Sequence, residues 1–116
     1  MSGRPRESRR GDSVLLADME EAAVMLDGLR DRGRDSFLSD PYAQAAAVRF
    51  LEILGEAAGN LSDVFQSRHP GLAVRRMRGF SSFAKHEYWR VKPERLWATL
   101  ETMPELRQTL AKVRVD

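Results

Sequence analysis

Apolar residues recur at helical spacing from Ser13 onward. In the first segment the steps between them are four and three residues, which places their side chains on one face of an α-helix. These residues are Leu15, Met19, Ala22, Leu26 and Leu29. Asp12 or Ser13 is expected to cap the start of this helix, because either side chain can accept a hydrogen bond from a free backbone N–H. Gly33 is expected to end it.

A second apolar face follows Asp40 and Pro41, and proline suits the first turn of a helix. Some of its members are alanines, which let a neighbouring helix approach closely. The members are Ala43, Ala47, Phe50, Leu54, Ala57 and Leu61. Ser62 is then expected to cap a short third helix over residues 63–67, and His69-Pro70-Gly71 predicts a break.

The last part of the chain predicts two further helices. One covers Val74 to about His86, and the other begins at Pro93 and is kinked or divided by Pro104. The inner stripe of the last helix is Leu96, Leu100, Met103, Leu106, Leu110 and Val113. Because no segment alternates apolar and polar residues, no strand is predicted. The predicted fold class is all-α, an antiparallel bundle of four to five helices over residues 12–116.

Residues 1–11 are predicted to form a disordered basic tail, because they are too polar to fold alone. No apolar run in the chain is long enough to span a bilayer, and the tail has no apolar segment typical of a secretory signal. We therefore expect a cytoplasmic protein without a membrane partner. A chain of 116 residues fits one domain, and the absence of cysteine excludes a disulfide framework, a thiolate metal site and a cysteine nucleophile.

The net charge of +2 says little about partners, so local clusters matter more. One cluster lies in the tail, at Arg4, Arg6, Arg9 and Arg10, and a second comprises Arg75, Arg76 and Arg78. Both are suited to contact phosphates. The alternative is that the first is a solvated tail and the second a solvated helix face.

Glu52 and Glu56 lie one turn apart on the second helix, a spacing that suits a bound cation. Arg49 is three residues before Glu52, however, and such pairs usually solvate a helix surface. The two histidines, His69 and His86, lack companion spacing for zinc. We therefore predict no metal and no cofactor.

His86 and Tyr88 are the most informative pair. Histidine can transfer a proton near neutral pH, and Lys85, Arg78 and Arg90 are close in sequence and suited to hold a phosphodiester. This combination would serve RNA cleavage without metal, with His86 as general base on the 2′-hydroxyl and a cation for the charge that develops on phosphorus. The alternative is that His86 caps the last carbonyl groups of its helix.

From Arg32 to Leu110 the order of these signals resembles the HepT-like toxin ribonucleases of the HEPN superfamily. The second helix carries the most specific part, and His86-x-Tyr88 resembles the end of that family's catalytic motif. Residues 32–40 resemble its turn between the first two helices. The matching residues of the second helix are Gln44, Ala47, Val48, Arg49, Leu51, Glu52, Ile53, Gly55, Glu56 and Ala57.

The resemblance implies a metal-independent RNA endonuclease, the toxin of a type VII-like toxin–antitoxin pair. It implies a homodimer or higher oligomer with a basic cleft. It also implies an MntA-type nucleotidyltransferase antitoxin that attaches AMP to Tyr88. The expected RNA contacts are Arg75, Arg76, Lys85, Arg90 and Arg49. A homodimer is also expected because Phe80, Phe83, Trp89 and Trp97 add apolar surface that a second copy would cover.

One departure matters. Where the family motif has arginine and then a polar residue, often asparagine, this chain has Ser81 and Ser82. Arg78, one turn earlier, is a candidate substitute cation, and Arg49 on the neighbouring helix is another. Three interpretations stay open: a ribonuclease with a relocated arginine, a degenerate member that binds RNA or its nucleotidyltransferase without cutting, and a plain helical interaction domain.

Overall fold

The computed structural model describes residues 11–87 and 91–113, and all side chains within them except those of His86 and Glu87. These residues form seven α-helices, one 3₁₀ helix and no strand, which confirms the predicted all-α bundle. The α-helices are α1 (Asp12–Asp31), α2 (Arg34–Leu38), α3 (Pro41–Gly59), α4 (Asp63–Arg68), α5 (Val74–Glu87), α6 (Pro93–Leu100) and α7 (Met103–Ala111). The 3₁₀ helix, Pro70–Leu72, occupies the predicted break after α4.

Helix α3 is the centre of the bundle, with α1 and α5 packed against it and α7 packed against α1. The predicted apolar stripes supply the core. The large side chains that are essentially inaccessible include Leu15, Met19, Leu26, Leu51, Leu54, Leu61, Leu100 and Leu110. Neighbouring long helices run antiparallel: the start of α1 contacts the residues that follow α3, and the end of α3 lies beside the first half of α5.

The N-terminus of α1 differs from the prediction, because neither Asp12 nor Ser13 caps it. Gly11 is the N-cap residue, without a side-chain hydrogen bond. The Asp12 carboxylate instead accepts hydrogen bonds from the backbone N–H and hydroxyl of Ser62, at 2.8 and 2.7 Å. Ser62 caps α4 as predicted, its hydroxyl oxygen accepting from the Phe65 N–H at 3.0 Å. One carboxylate thereby fastens the start of α1 to the cap of α4.

Residues 34–38 form the helix α2, where the resemblance implied only a turn. Phe37 is 1% exposed, and its ring centroid lies 5.9 Å from that of Trp97 in α6. The amide nitrogen of Gln44 donates to the carbonyl groups of Phe37 and Leu38, both at 3.1 Å. These contacts hold α2 in place between α3 and α6.

The C-terminal helix is divided, as predicted from Pro104. Helix α6 ends at Leu100 and α7 begins at Met103, with the proline in the first turn of α7. Proline has no N–H to donate to the preceding turn, and in the first turn of a helix none is needed.

A buried carboxylate joins α7 to α1. Asp27 is 7% exposed and accepts hydrogen bonds at 2.8 Å from both Arg30 and Arg107. Burial raises the pKa of Asp27, but the hydrogen bonds and positive charges of the two arginines lower it more, so the net pKa lies below the usual 3.8. The pKa of Arg30 is raised, chiefly by its hydrogen bond to Asp27.

The aromatic surface expected for a homodimer is partly covered within the chain. Trp97 packs on Phe37, and the guanidinium carbon of Arg95 lies 4.4 Å from the ring centroid of Phe83. Phe80 is half-buried, and Trp89 lies outside the described residues. The homodimer stays a prediction. The apolar surface that a second copy would cover is smaller than the sequence indicated, because part of it is covered within the chain.

The predictions of a disordered tail and of no membrane-spanning segment can be compared with only part of the chain. The tail prediction concerns residues 1–11, of which 1–10 lie outside the described part of the chain. Among the helices that are described, none combines the length and apolar character that crossing a membrane requires.

Candidate functional site

The predicted site residues lie on α3, on α5 and in the segment that follows α5. His86 occupies the last turn of α5, which confirms the predicted helix. Its side chain, and the whole of Tyr88 and Arg90, lie outside the described residues. The described part of the site therefore consists of the α3–α5 contact and the cations around it.

Gly55 allows α3 and α5 to approach closely. A Cβ atom at position 55 would lie 2.4 Å from the Ser81 Cβ, 2.5 Å from the Met77 carbonyl oxygen and 2.8 Å from the Ser81 nitrogen. Real Cβ atoms do not come this close to other atoms, so the contact requires glycine. Ser81, which the resemblance aligns with the arginine of the family motif, is 5% exposed within this contact. The side chain at position 81 is therefore packed in the contact between α3 and α5, and as a serine it provides no positive charge.

Arg78 is exposed, but its side chain lies along α3. Its Cγ, Cδ and Nε atoms lie 3.3 to 3.4 Å from the position a Cβ would take at Gly59, the last residue of α3. Because the helices are antiparallel, this end of α3 is remote from the last turn of α5. Positions 78 and 86 are separated by about 12 Å along the helix axis. In this conformation Arg78 extends away from His86.

Arg49 is better placed along the helix axis. It lies six residues before Gly55 on α3, or about 9 Å, and His86 lies five residues after Ser81 on α5, or about 7.5 Å. Since Gly55 contacts Ser81 and the helices are antiparallel, the backbone of Arg49 is level with the last turn of α5. Its side chain is exposed.

A pocket of about 370 Å³ opens beside Arg49, between α3 and the segment from Val91 to α6. Its walls are mainly apolar, and within the described part of the chain three side chains of α3 supply its polar lining. The lining residues are Pro41, Gln44, Ala45, Val48, Arg49, Glu52, Val91 and Leu96. The pocket thus adjoins the segment that follows His86-x-Tyr88.

The other expected cations are distributed differently. Lys85 forms an ion pair with Glu56 at 2.8 Å, both side chains being about half exposed. Arg75 and Arg76 are exposed on α5, and the Arg76 guanidinium carbon lies 5.8 Å from the Phe80 ring centroid. Lys85 is therefore partly neutralised, whereas Arg75 and Arg76 present their charge to solvent.

Glu52 and Glu56 do not act as a pair in this structure. Glu56 binds Lys85, while Glu52 lines the pocket. The surface pair considered for Arg49 and Glu52 is also absent from the ion pairs seen among the described residues. Within that same part of the chain, no three histidine or acidic side chains are grouped to hold a metal. His69 is half-buried, with its ring centroid 4.5 Å from that of Phe65.

Comparison with known proteins decides the family. A family model described as Ribonuclease HepT-like matches residues 19–113, most of the chain. The chain belongs to this HepT-like ribonuclease family. The resemblance inferred from the second helix and His86-x-Tyr88 is thereby confirmed at the level of the family.

Curated relatives of the HepT-like chain agree with this assignment. The "Probable ribonuclease HepT" of Thermococcus cleftensis is 32% identical over 108 residues, which cover 91% of this chain and 98% of that protein. A protein of Caldanaerobacter subterraneus subsp. tengcongensis, named as an RNase, is 29% identical over 96 residues, covering 82% of this chain and 86% of the relative. No solved structure matches the chain significantly.

Sequence reasoning did not find the pocket and did not single out Tyr42. Tyr42 is 88% exposed and lies between two lining residues in sequence, Pro41 and Gln44. The available signal was the spacing of Tyr42, Ala45, Arg49 and Glu52, which lie along one side of a helix. The pocket itself depends on α6, whose docking against α3 no local pattern indicates.

Proposed function

We propose that this HepT-like chain is the toxin of a two-component pair and cleaves RNA without a metal ion. His86 takes the proton of a ribose 2′-hydroxyl, whose oxygen attacks the adjacent phosphorus. The 5′-oxygen leaves and is protonated by solvent, which yields a cyclic phosphate and a free 5′-hydroxyl. Arg49 stabilises the negative charge on phosphorus.

The observation that carries this proposal is the position of Arg49. Its side chain is exposed, its backbone is level with the last turn of α5, and it lines the pocket that adjoins the residues after the motif. Arg78, the substitute first expected, has its side chain against Gly59 and stays an alternative. Arg75, Arg76 and Lys85, together with Arg90, are proposed as further RNA contacts, which would bind phosphates without selecting a sequence.

Ser81 supports a second candidate function. Ser81 carries no positive charge and is buried against Gly55, so position 81, which the resemblance aligns with the motif arginine, provides no cation. Losing one group that stabilises a developing charge costs about 10²–10³ in rate. A degenerate member would bind RNA or its nucleotidyltransferase through the same exposed arginines without cutting.

RNA cleavage by purified variants distinguishes the two candidates. His86→Ala and Arg49→Ala should each lower the cleavage rate at least about 100-fold. Lys112→Ala removes an equal charge from an exposed position at the end of α7 and should cleave normally. Normal cleavage by Arg49→Ala would refute the role of Arg49, and loss by Arg78→Ala alone would assign that role to Arg78.

If the natural chain does not cleave, Ser81→Arg tests whether only the cation is missing. Cleavage by that variant alone would identify a ribonuclease scaffold whose natural role is binding. Because position 81 is buried, circular dichroism must first show that Ser81→Arg folds. If no variant cleaves, but labelled RNA binds the natural chain and not Arg49→Ala, the binding function is supported instead.

The proposed antitoxin is a nucleotidyltransferase of the MntA type, which attaches AMP to Tyr88 in the cytoplasm. The added phosphate would repel the phosphates of RNA. Incubation with that enzyme and ATP should raise the mass of the natural chain by one or more AMP units. Tyr88→Phe should gain none. An unchanged mass of the natural chain would contradict this regulation, and sedimentation showing only monomer at micromolar concentration would contradict the homodimer.

A further inference from the structure

We propose that the pocket between α3 and α6 holds one unpaired RNA base with an exocyclic amino group, and that Tyr42 stacks on a neighbouring base. The inference rests on the proposed RNA function and adds a base-selecting subsite beside it. Cytosine, adenine and guanine carry such an amino group, whereas uracil does not.

The size and walls of the pocket suit a flat ring with a polar edge. Its volume of about 370 Å³ lies at the small end of the range for pockets that bind organic ligands, roughly 300–1,000 Å³. Of the lining residues that are described, five are apolar and the polar ones come from α3. The apolar residues are Pro41, Ala45, Val48, Val91 and Leu96.

Among the residues that the structure describes, the polar lining of the pocket consists of two acceptors and one cation. The Gln44 amide nitrogen donates to the carbonyl groups of Phe37 and Leu38, so both of its hydrogens are used and only its oxygen is available. Glu52 is half-buried and lines the pocket, and the oxygens of a carboxylate accept hydrogen bonds. No ion pair among the described residues occupies it.

Two acceptors favour a base that donates. Glutamate accepts a hydrogen bond from the amino group of cytosine. Uracil presents a carbonyl oxygen at the equivalent atom, which the Glu52 carboxylate would repel. The preference for cytosine over uracil therefore comes both from the hydrogen bond that Glu52 accepts from cytosine and from the repulsion between Glu52 and uracil. One well-formed base contact of this kind corresponds to about 10-fold discrimination.

Tyr42 provides the second element of the subsite. Its side chain is 88% exposed, so its ring has an open face for stacking. Tyr42 and Arg49 are two helical turns apart on nearly the same side of α3, about 10 Å along the axis. Arg49 lines the pocket, and Tyr42 follows the lining residue Pro41 in sequence. A strand whose phosphate binds Arg49 can therefore pass the pocket and reach Tyr42. Unpaired bases commonly stack on such exposed aromatic rings.

Binding of two matched probes tests the subsite. Fluorescein-labelled twelve-nucleotide oligocytidine and oligouridine are titrated into the full chain at fixed salt, in a His86→Ala background so that neither is cut. Oligocytidine should bind about 10-fold more tightly. Glu52→Gln keeps the shape but adds a donor, so it should reduce this preference to near unity, mainly by strengthening oligouridine binding.

Tyr42→Ala should weaken binding of both probes about 10-fold, whereas Tyr42→Phe should retain binding because it keeps the ring. Lys112→Ala is the control for general loss of charge, and circular dichroism confirms that each variant folds. If neither probe binds the unsubstituted pocket, the proposed RNA function fails and the subsite with it.

If both probes bind equally, and neither Glu52→Gln nor Tyr42→Ala changes their affinity, the RNA function stands and the subsite is refuted. Sedimentation is measured on the same variants. Loss of self-association in Tyr42→Ala, with RNA affinity unchanged, would identify this face as an interface between copies of the chain and would also refute the subsite.

Discussion

Replacing Gly55 by alanine should destabilise the protein, although alanine is the better helix former. In an exposed helix interior the change stabilises by about 1 kcal/mol. At position 55 the added Cβ would lie 2.4 Å from the Ser81 Cβ and 2.5 Å from the Met77 carbonyl oxygen. Ordinary contacts between carbon atoms are about 3.5–4.0 Å, so α3 and α5 would have to separate by roughly 1 Å.

Overpacking of a core typically costs about 1–3 kcal/mol. We expect the upper end here, because two of the three close atoms belong to the backbone of α5 and cannot rotate away. Subtracting the gain in helix propensity leaves a loss of about 2 kcal/mol in the free energy of unfolding. Gly28→Ala is the matched control, since a Cβ there meets nothing within 4 Å, and it should stabilise by up to about 1 kcal/mol.

Urea unfolding followed by circular dichroism measures both variants. The two free energies of unfolding should differ by about 3 kcal/mol. Adding Ser81→Gly to Gly55→Ala should recover only part of the loss, because the Met77 carbonyl oxygen and the Ser81 nitrogen remain. Equal stability of Gly55→Ala and Gly28→Ala would refute the close approach of α3 and α5, and with it the burial of position 81.

Three further effects can be measured in the same way. Because folding lowers the pKa of Asp27, the contribution of Asp27 to stability should be present above pH 3.8 and should be lost as the pH falls from 3.8 through the pKa of Asp27 in the folded protein. Asp27→Asn should lower the free energy of unfolding by about 1–3 kcal/mol at neutral pH and should reduce this loss of stability in acid. The Asp40 carboxylate accepts from two backbone N–H groups at the start of α3, so Asp40→Ala should cost about 1 kcal/mol and Asp40→Asn much less; equal losses would contradict the cap. Ala73 has a φ of 60°, so Ala73→Gly should raise the free energy of unfolding by up to about 1 kcal/mol, and a loss would show that this conformation carries no strain.

Local pattern was sufficient to predict most of the helices. Hydrophobic spacing identified α1 and α3, and Ser62, Asp40 and Pro104 marked real boundaries, because caps and prolines act within one turn of chain. The pattern missed α2, a five-residue helix too short to show periodicity. Its stability comes from the burial of Phe37 and the hydrogen bonds of Gln44, which form only when α3 and α6 are in place.

The sequence alone suggested the candidate motif residues, but it did not predict their surroundings. Sequence spacing put Arg78 and Ser81 near one helix face, whereas packing buries Ser81 against Gly55 and lays Arg78 along the end of α3. Which cation lies level with His86 depends on the antiparallel register of two helices, so the sequence left both Arg78 and Arg49 as candidates and the register favours Arg49. The pocket likewise requires α3 and the segment from Val91 to α6 to meet. Periodicity determines which face of a helix is apolar, but the position at which one helix crosses another is set by the fit of side chains that are distant in sequence.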